Sequence, residues 1–587
     1  MSNSSLYEQL PLPSEEQTIR VLSIEPGTKG TMVKASMFKL DLNDPQRPPY
    51  NTLSYTWGEP TIVDQIMVNS KPIGVGANLF QALQHIRSSE SPIDIWIDAI
   101  CINQTDNKEK AHQVSQMDLV YRLCEQVYIW LGCSEASSTV DNNPFALVEH
   151  FAANKHFHDL PGYYKDVTTG LWSCDTEHVE FTSMWKAFDL VASSPWWHRA
   201  WTVQEAVLPA KAVVIYGTWK TLWETFDLCE SYRLEHLSNY SAECCGKSYE
   251  AVGVSRGFPM DQVMGYVASL KRSRGGAQGY KSFSDISFAF MNRQCFNPRD
   301  KIYSLLGFAG SAAASLYPDY TKEVSEVYTE AFRKMMEEND MSPRCLLGEG
   351  FNSHKFNLPS WVRDFSVSFD SKFQLGRAQG AYNLFKACGD KQGKLEWTDG
   401  KSLLAKGMLV DQVKAVATWV SSSNPDNLKE ILDDWRRTCE DNGVKVSTEQ
   451  RDEVFARVLC GEVTEQAYGQ KLLEEDDIDL PNDAQWSVYL GEGNARALPR
   501  KYRIAIGSTI DRKVLYVTSS GRVGLSCPGI TVGDEVWVVY GSNVPFILRR
   551  QSGAGIEHRL VGETYLHGVM HGRCVGDDDS GVDLCLV

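Results

Sequence analysis

Residues 93–132 read IDIWIDAICINQTDNKEKAHQVSQMDLVYRLCEQVYIWLG. The first ten are a nearly continuous apolar run, as in a strand covered on both faces. Asp106 and Glu109 then form a helix start signal, and Val114, Met117, Tyr121 and Cys124 share one face, predicting a helix over 106–126. QVYIWLG at 126–132 returns to a buried-type strand. Upstream, YNTLSYTWG (50–58) is a short β-rich run ending in a Gly turn, and ANLFQALQHIR (77–87) is amphipathic through Leu79, Leu83 and Ile86. Downstream, an irregular acidic and aromatic insertion (133–180) precedes a helix near 181–191. In SSPWWHRAWTVQEAVLPAKAVVIYG (193–217), Ser193, Ser194 and Pro195 start a short helix, and a strand follows at 212–216. Strands alternating with helices in this way predict an α/β fold with a parallel sheet and flanking crossover helices.

Outside this block the first 20 residues are polar and proline-containing, expected to be a loose arm, and 31–41 alternate as a strand. The α/β domain is therefore expected over 21–217, with 133–180 as its insertion. Residues 218–400 read as mainly helical, at 219–235, 260–272, 283–292 and 324–338, with glycine-bearing breaks at 275–279, 348–350 and 376–380. The last part, 401–587, is expected to hold helices at 427–440 and 448–459, then a small β-rich barrel or sandwich. Its strands are KYRIAIG (501–507), KVLYVTS (513–519), RVGLSC (522–527), DEVWVVYG (534–541), PFILRR (545–550) and HRLVGETYLHGV (558–569).

The 587 residues allow two to four domains at roughly 150 residues each. Lys plus Arg is 58 against 75 for Asp plus Glu, a net charge of −17, which lacks the basic field of a nucleic-acid or anionic-membrane binder. No nucleic-acid or membrane partner is expected. The fifteen cysteines include no CxxC pair, and Met1 to Arg20 lacks a secretory pattern, so a cytoplasmic protein with reduced thiols is expected, the nucleus being the other compartment consistent with this. There is no GxxxxGK[ST] phosphate loop, no complete GxGxxG and no GxSxG elbow. His567 and His571 are four apart in a β-rich, glycine-flanked segment, so no metal site is assigned. The acidic runs 474–477 and 577–579 read as solvated surface.

Three blocks, YNTLSYTWG (50–58), IWIDAICINQTDNKEKAHQVSQMDLVY (95–121) and WWHRAWTVQEA (196–206), resemble the fungal heterokaryon incompatibility (HET) domain family, in the family's order. NPRDKIYSLLGFAG (297–310), YPDY (317–320) and the stretch from DEVWVVYG onward resemble companion regions of such proteins. The resemblance implies a cytosolic fungal protein of self/non-self recognition and regulated cell death, self-associating through its HET domain and answering to an incompatibility partner. A more remote resemblance is to Toll/interleukin-receptor (TIR) type domains, which have a flavodoxin-like parallel sheet. Ser54, Gly58 and Glu59 match that class's first strand and turn, Asp98 its second strand, and Trp201 with Glu205 its Trp-x-x-x-Glu helix. The chain departs from it at Thr202, where many TIR domains have Cys, and in the insertion at 133–180.

The second resemblance implies NAD as substrate, with no cofactor required. Nicotinamide leaves NAD as a neutral group, so one carboxylate suffices to hold the ribose and stabilise developing positive charge. Glu205 is the matching residue for catalysis; alternatively it caps a loop or pairs with Arg199. Asp98, Asn103 and Gln104 follow a strand end, where α/β ligands bind, and either contact the ligand or brace their own loop. Tyr55, Trp57 and Gly58 end the first strand, offering a stacking surface or core packing, and Trp201 lies on the Glu205 helix face. Arg199 clamps a pyrophosphate or pairs with Glu205, and His198 reads as a hydrogen-bonded histidine. Two other classes fit the same motifs: a non-enzymatic adaptor assembling through the HET domain, and a family member recruited to small-molecule metabolism.

Overall fold

A computed structural model describes the chain apart from residues 1–3, 14–15, 59–61, 134–142, 239–244, 246–253, 275–279, 281, 352, 354, 368–380, 399–400, 421–427, 445–447, 467–468, 474–484, 486–487, 490–496, 552–554 and 577–579. Glu59, both acidic runs and the glycine-bearing stretches 275–279 and 376–380 fall outside the described residues. The chain divides into two compact units, Met1–Lys322 and Glu323–Val587, so the segment 218–400 is shared between them. Among the described residues no helix is long and apolar enough to cross a membrane, and the described cysteines form no disulfide.

Among the described residues the first unit is built on a nine-stranded sheet: β1 (Thr18–Ile24), β2 (Lys34–Asp41), β3 (Asn51–Ser54), β4 (Ile62–Val68), β5 (Lys71–Gly76), β6 (Ile93–Trp96), β7 (Val127–Trp130), β10 (Ala212–Tyr216) and β11 (Trp219–Leu222). A separate hairpin, β8 (Tyr163–Lys165) with β9 (Trp172–Cys174), lies in the insertion. The sheet order is β11-β10-β7-β3-β6-β1-β2-β4-β5. Four central strands are parallel, β3 pairing with both β6 and β7, and β7 with β10. Taken by themselves these four run second, first, third, fourth, the flavodoxin-type winding, which opens a crevice at the carboxyl end of its first strand.

The rest of the sheet is mostly antiparallel, contrary to expectation, although β2 and β4 pair in parallel. β1 runs antiparallel between β6 and β2, β4–β5 is an antiparallel hairpin, and β11 folds back on β10. The first 20 residues are also not a loose arm where described. Thr18 to Arg20 begin β1, Leu6 and Tyr7 are buried, and the Tyr7 hydroxyl donates to the Ile100 carbonyl at 3.1 Å.

Two elements end sooner than the apolar pattern predicts. β6 stops at Trp96 because Asp98–Cys101 forms a helical turn, with Asp98 Oδ1 accepting the Ala99 N–H at 2.7 Å. The helix expected over 106–126 starts on Asp106, which accepts from Lys108 and Glu109 N–H as its cap, but is divided at Gln116 into Asn107–Ser115 and Met117–Leu123. Of the helix expected at 219–235, the first residues are β11 and the helix is Trp223–Ser238.

In the second unit β12 (Glu396–Trp397) pairs with β13 (Leu403–Trp419), which is long enough to pair also with β18 (Glu535–Val539) at one part and with β16 (Val514–Thr518) at another, while β14 (Val463–Gln466) and β15 (Gly469–Leu472) form a separate hairpin. With β17 (Val523–Ser526), β20 (Glu557–Leu566) and β19 (Phe546–Arg550) these close a ring β13-β16-β17-β20-β19-β18-β13, a barrel. Helices at Leu428–Asp441 and Thr448–Cys460 match expectation. KYRIAIG does not: Arg500–Ile510 is a helix. Tyr, Ile and Ile at 502, 504 and 506 alternate like a strand, yet the buried apolar set is Tyr502, Ala505, Ile506 and Ile510, a helical stripe.

Candidate functional site

Thr52 of β3 is level with Trp96 of β6, so Ser54 and Asp98 leave the sheet side by side at the carboxyl ends of neighbouring parallel strands. Beyond Ser54 the chain runs through Tyr55 and Trp57 to Gly58, whose φ of 73° lies in the left-handed region that a side chain disfavours.

The other half of the site comes from 194–207. Ser194 Oγ accepts the Trp196 N–H at 3.4 Å and Pro195 occupies the first turn, starting the short helix Pro195–His198. Trp196 and Trp197 are fully buried and meet edge to face at 5.0 Å. Arg293 donates to the Trp197 carbonyl, and the backbone of Gln294 bridges that of Arg199, accepting the Ala200 N–H at 2.8 Å. Thus held, the chain enters the helix Thr202–Val207, which packs on β3 and β7 and is buried along its whole length.

Glu205 on that helix is only 2 % exposed. Its Oε2 accepts the Ser54 hydroxyl at 2.5 Å, and Ser54 Oγ accepts the Trp196 indole N–H at 2.7 Å. Burial pushes the Glu205 carboxyl up to about 7; Asp98 adds to this, while Arg199 and the Ser54 hydrogen bond oppose it. Asp98 is likewise raised by burial, against Arg199 and hydrogen bonds from Trp57, Ala99 and Tyr55. The Trp57 indole donates to Asp98 Oδ2 at 2.8 Å and is itself 43 % exposed, the one large aromatic of this loop that faces solvent. Tyr55 is buried, its hydroxyl held neutral by burial and by Asp98.

Arg199 donates to the Tyr55 carbonyl and acts on Glu205 and Asp98 through space. The buried Glu205 and half-buried Asp98 carboxyls thus share one nearby guanidinium, and with both ionised the cluster carries an excess negative charge. Such a cluster stabilises a cation or a developing positive charge.

Asn103 and Gln104 serve their own loop: Asn103 Oδ1 accepts from the Thr105 N–H and hydroxyl, and Gln104 Nε2 donates to the Asp98 carbonyl at 2.9 Å. His198 Nδ1 meets the Tyr266 hydroxyl at 3.0 Å, and burial lowers its pKa. Trp201 hydrogen-bonds the buried Asp300 carboxyl, which also accepts from the Tyr320 hydroxyl at 2.8 Å. Sequence reasoning left out Trp196 and Asp300 and gave Ser54 no role. Asp300 and Tyr320 stand in the two companion motifs, NPRDKIY and YPDY, so their place in those motifs was the available signal. Trp196 carried none beyond its place in a Trp-rich block.

Ser54→Ala removes the acceptor of a buried indole N–H and the donor to Glu205. Its expected cost is about 1–3 kcal/mol in urea unfolding of the purified protein, and a cost near zero would show the relay to be slack.

Residues 50–205 match the family model described as Heterokaryon incompatibility protein (HET), and residues 464–587 match the Het-6 beta-barrel domain. The chain is 24 % identical to "Heterokaryon incompatibility protein 6, OR allele" of Neurospora crassa, over 97 % of this chain and 96 % of that protein. No solved structure matches.

Proposed function

We propose that this chain, with its HET domain in the α/β unit and its Het-6 barrel in the second, acts in fungal heterokaryon incompatibility, and that the α/β unit contributes by hydrolysing NAD. The observation that carries the chemical part is the convergence of Glu205, Asp98 and Arg199 at the carboxyl ends of β3 and β6, under an exposed Trp57. Trp57 offers a face for a cationic pyridinium or an adenine. Arg199 supplies charge for a pyrophosphate, and ionised Glu205 opposes positive charge growing on the ribose.

The glycosidic C–N bond breaks with its electron pair leaving on neutral nicotinamide. Water adds to the ribose carbon, and its proton passes to a carboxylate and on to solvent. Glu205 must be ionised for this, so release rises with pH through about 7. The test is nicotinamide and ADP-ribose release by wild type and Glu205→Ala, alone and with fused oligomerising tags, since assembly through the HET domain is part of the proposal. Release by wild type that folded Glu205→Ala loses is the expected result. No release in any state, while overproduction still kills cells, overturns it.

One observation favours an adaptor without catalysis: Glu205 is almost fully covered, with Ser54 bonded to its Oε2. In that case Glu205→Ala leaves killing intact, while substitutions on the outer surface of the HET domain abolish it.

A further inference from the structure

The insertion and the chain that follows the helix Trp223–Ser238 bring His156, His158 and Cys245 together, their ligand atoms all within 4.8 Å of one another. Cys245 Sγ lies 3.3 Å from His156 Nδ1. Zinc bonds of about 2.0–2.3 Å in a tetrahedron put neighbouring ligand atoms about 3.3–3.8 Å apart, so the three groups surround one ion once an imidazole turns out of the His156–His158 stack to aim its lone pair at it.

The cluster is built rather than accidental. Cys245 is fully buried, and the Phe157 backbone N–H points at its sulfur at 3.4 Å, a contact that favours a thiolate. His158 Nδ1 is buried and has no hydrogen-bond partner in the structure. Its ring stacks on Trp172 at 4.4 Å and 11°. His156 is held from both sides, its N–H on Asp159 Oδ2 at 2.8 Å and its carbonyl on His150 Nε2 at 2.9 Å. The His156 and His158 rings are stacked 4.7 Å apart, and His236 lies 4.4 Å from His156 on another element.

We propose that His156, His158 and Cys245 bind a zinc ion that ties the insertion to Cys245, with a water molecule in the fourth position beside His236. Two imidazoles and one thiolate are a zinc donor set, whereas magnesium or calcium would require oxygen ligands. As the sulfur–zinc bond forms, the Cys245 S–H bond breaks and its proton goes to solvent.

The test uses tag-free full-length protein purified without chelator. Elemental analysis is expected to find about one zinc per chain, falling at least about fivefold in Cys245→Ser and in His158→Ala and staying unchanged in His567→Ala of the second unit. Titrating chelator-stripped, folded wild type with cobalt(II) is expected to give a thiolate-to-cobalt charge-transfer band with intense tetrahedral visible bands, independently of whether the variants fold. His236→Ala that keeps its zinc supports water as fourth ligand; loss of the metal there overturns that part. Protein with less than about one zinc per ten chains and no cobalt–thiolate band overturns the site, as does a Cys245→Ser variant that keeps both.

Discussion

Glu205→Gln is expected to stabilise the protein in alkaline solution, with a gain that grows by about 2–3 kcal/mol between pH 5 and 8.5. The Glu205 carboxyl stands at about 7 in the folded chain against an ordinary 4.5, so the fold holds this proton more tightly than the unfolded chain does. The stability that protonated Glu205 contributes is therefore whole below 4.5 and is lost as pH rises toward about 7, above which ionised Glu205 is a constant burden. The amide oxygen of the variant still accepts the Ser54 hydroxyl, so the relay from Trp196 is kept while the ionisation cost disappears. Urea unfolding of both proteins at pH 5, 6, 7 and 8.5 checks this. Parallel stability curves would mean that Glu205 is already compensated, and would remove the electrostatic argument for a charge-stabilising site. A residue whose removal stabilises the fold is one retained for something other than stability.

Arg20→Met is expected to act in the opposite direction, destabilising the α/β unit by about 3–5 kcal/mol. Arg20 is fully buried, with its guanidinium on Glu109 Oε1 at 2.7 Å and Oε2 at 2.9 Å, the Leu10 carbonyl at 2.8 Å and the Cys101 carbonyl at 3.0 Å. Removing it leaves Glu109 ionised beneath the surface without its cation. Glu109 Oε1 also accepts the Asn103 N–H at 2.7 Å, so the loop that carries Asp98 and Gln104 loosens with it. The double variant Arg20→Met with Glu109→Gln discards both charges and is expected to recover about half of the loss in the same unfolding measurement. If the single variant cost less than about 1 kcal/mol, the pair would be no anchor for the site loop.

Much of this architecture is legible in the sequence. The Asp106 cap, the buried runs at β6, β7 and β10, and the Ser194-Pro195 helix start each depend on residues within a few positions of one another. The Trp201-to-Glu205 interval fits one helical turn and holds in the structure, as does the barrel-like run of short strands near the end. What misled was periodicity read over too few residues. KYRIAIG alternates for six positions, but its burial continues to Ile510 with a helical period. β1 was hidden because Ile19, Val21, Leu22 and Ile24 are covered on both sides of a sheet whose neighbours, β2 and β6, lie at different distances along the chain.

By itself the sequence determined the α/β class of the first unit, its alternation of strands and helices, the β-rich end and the resemblance to the HET family, because short-range patterns of burial and capping are written in consecutive residues. Only the tertiary structure decided that Ser54 lies on Glu205, 151 positions away, that Arg20 grips Glu109, and that His156, His158 and Cys245 meet. Those contacts arise where strand pairing and helix packing bring remote segments to one point, and the burial that results, rather than residue type, lifts one carboxyl to about 7.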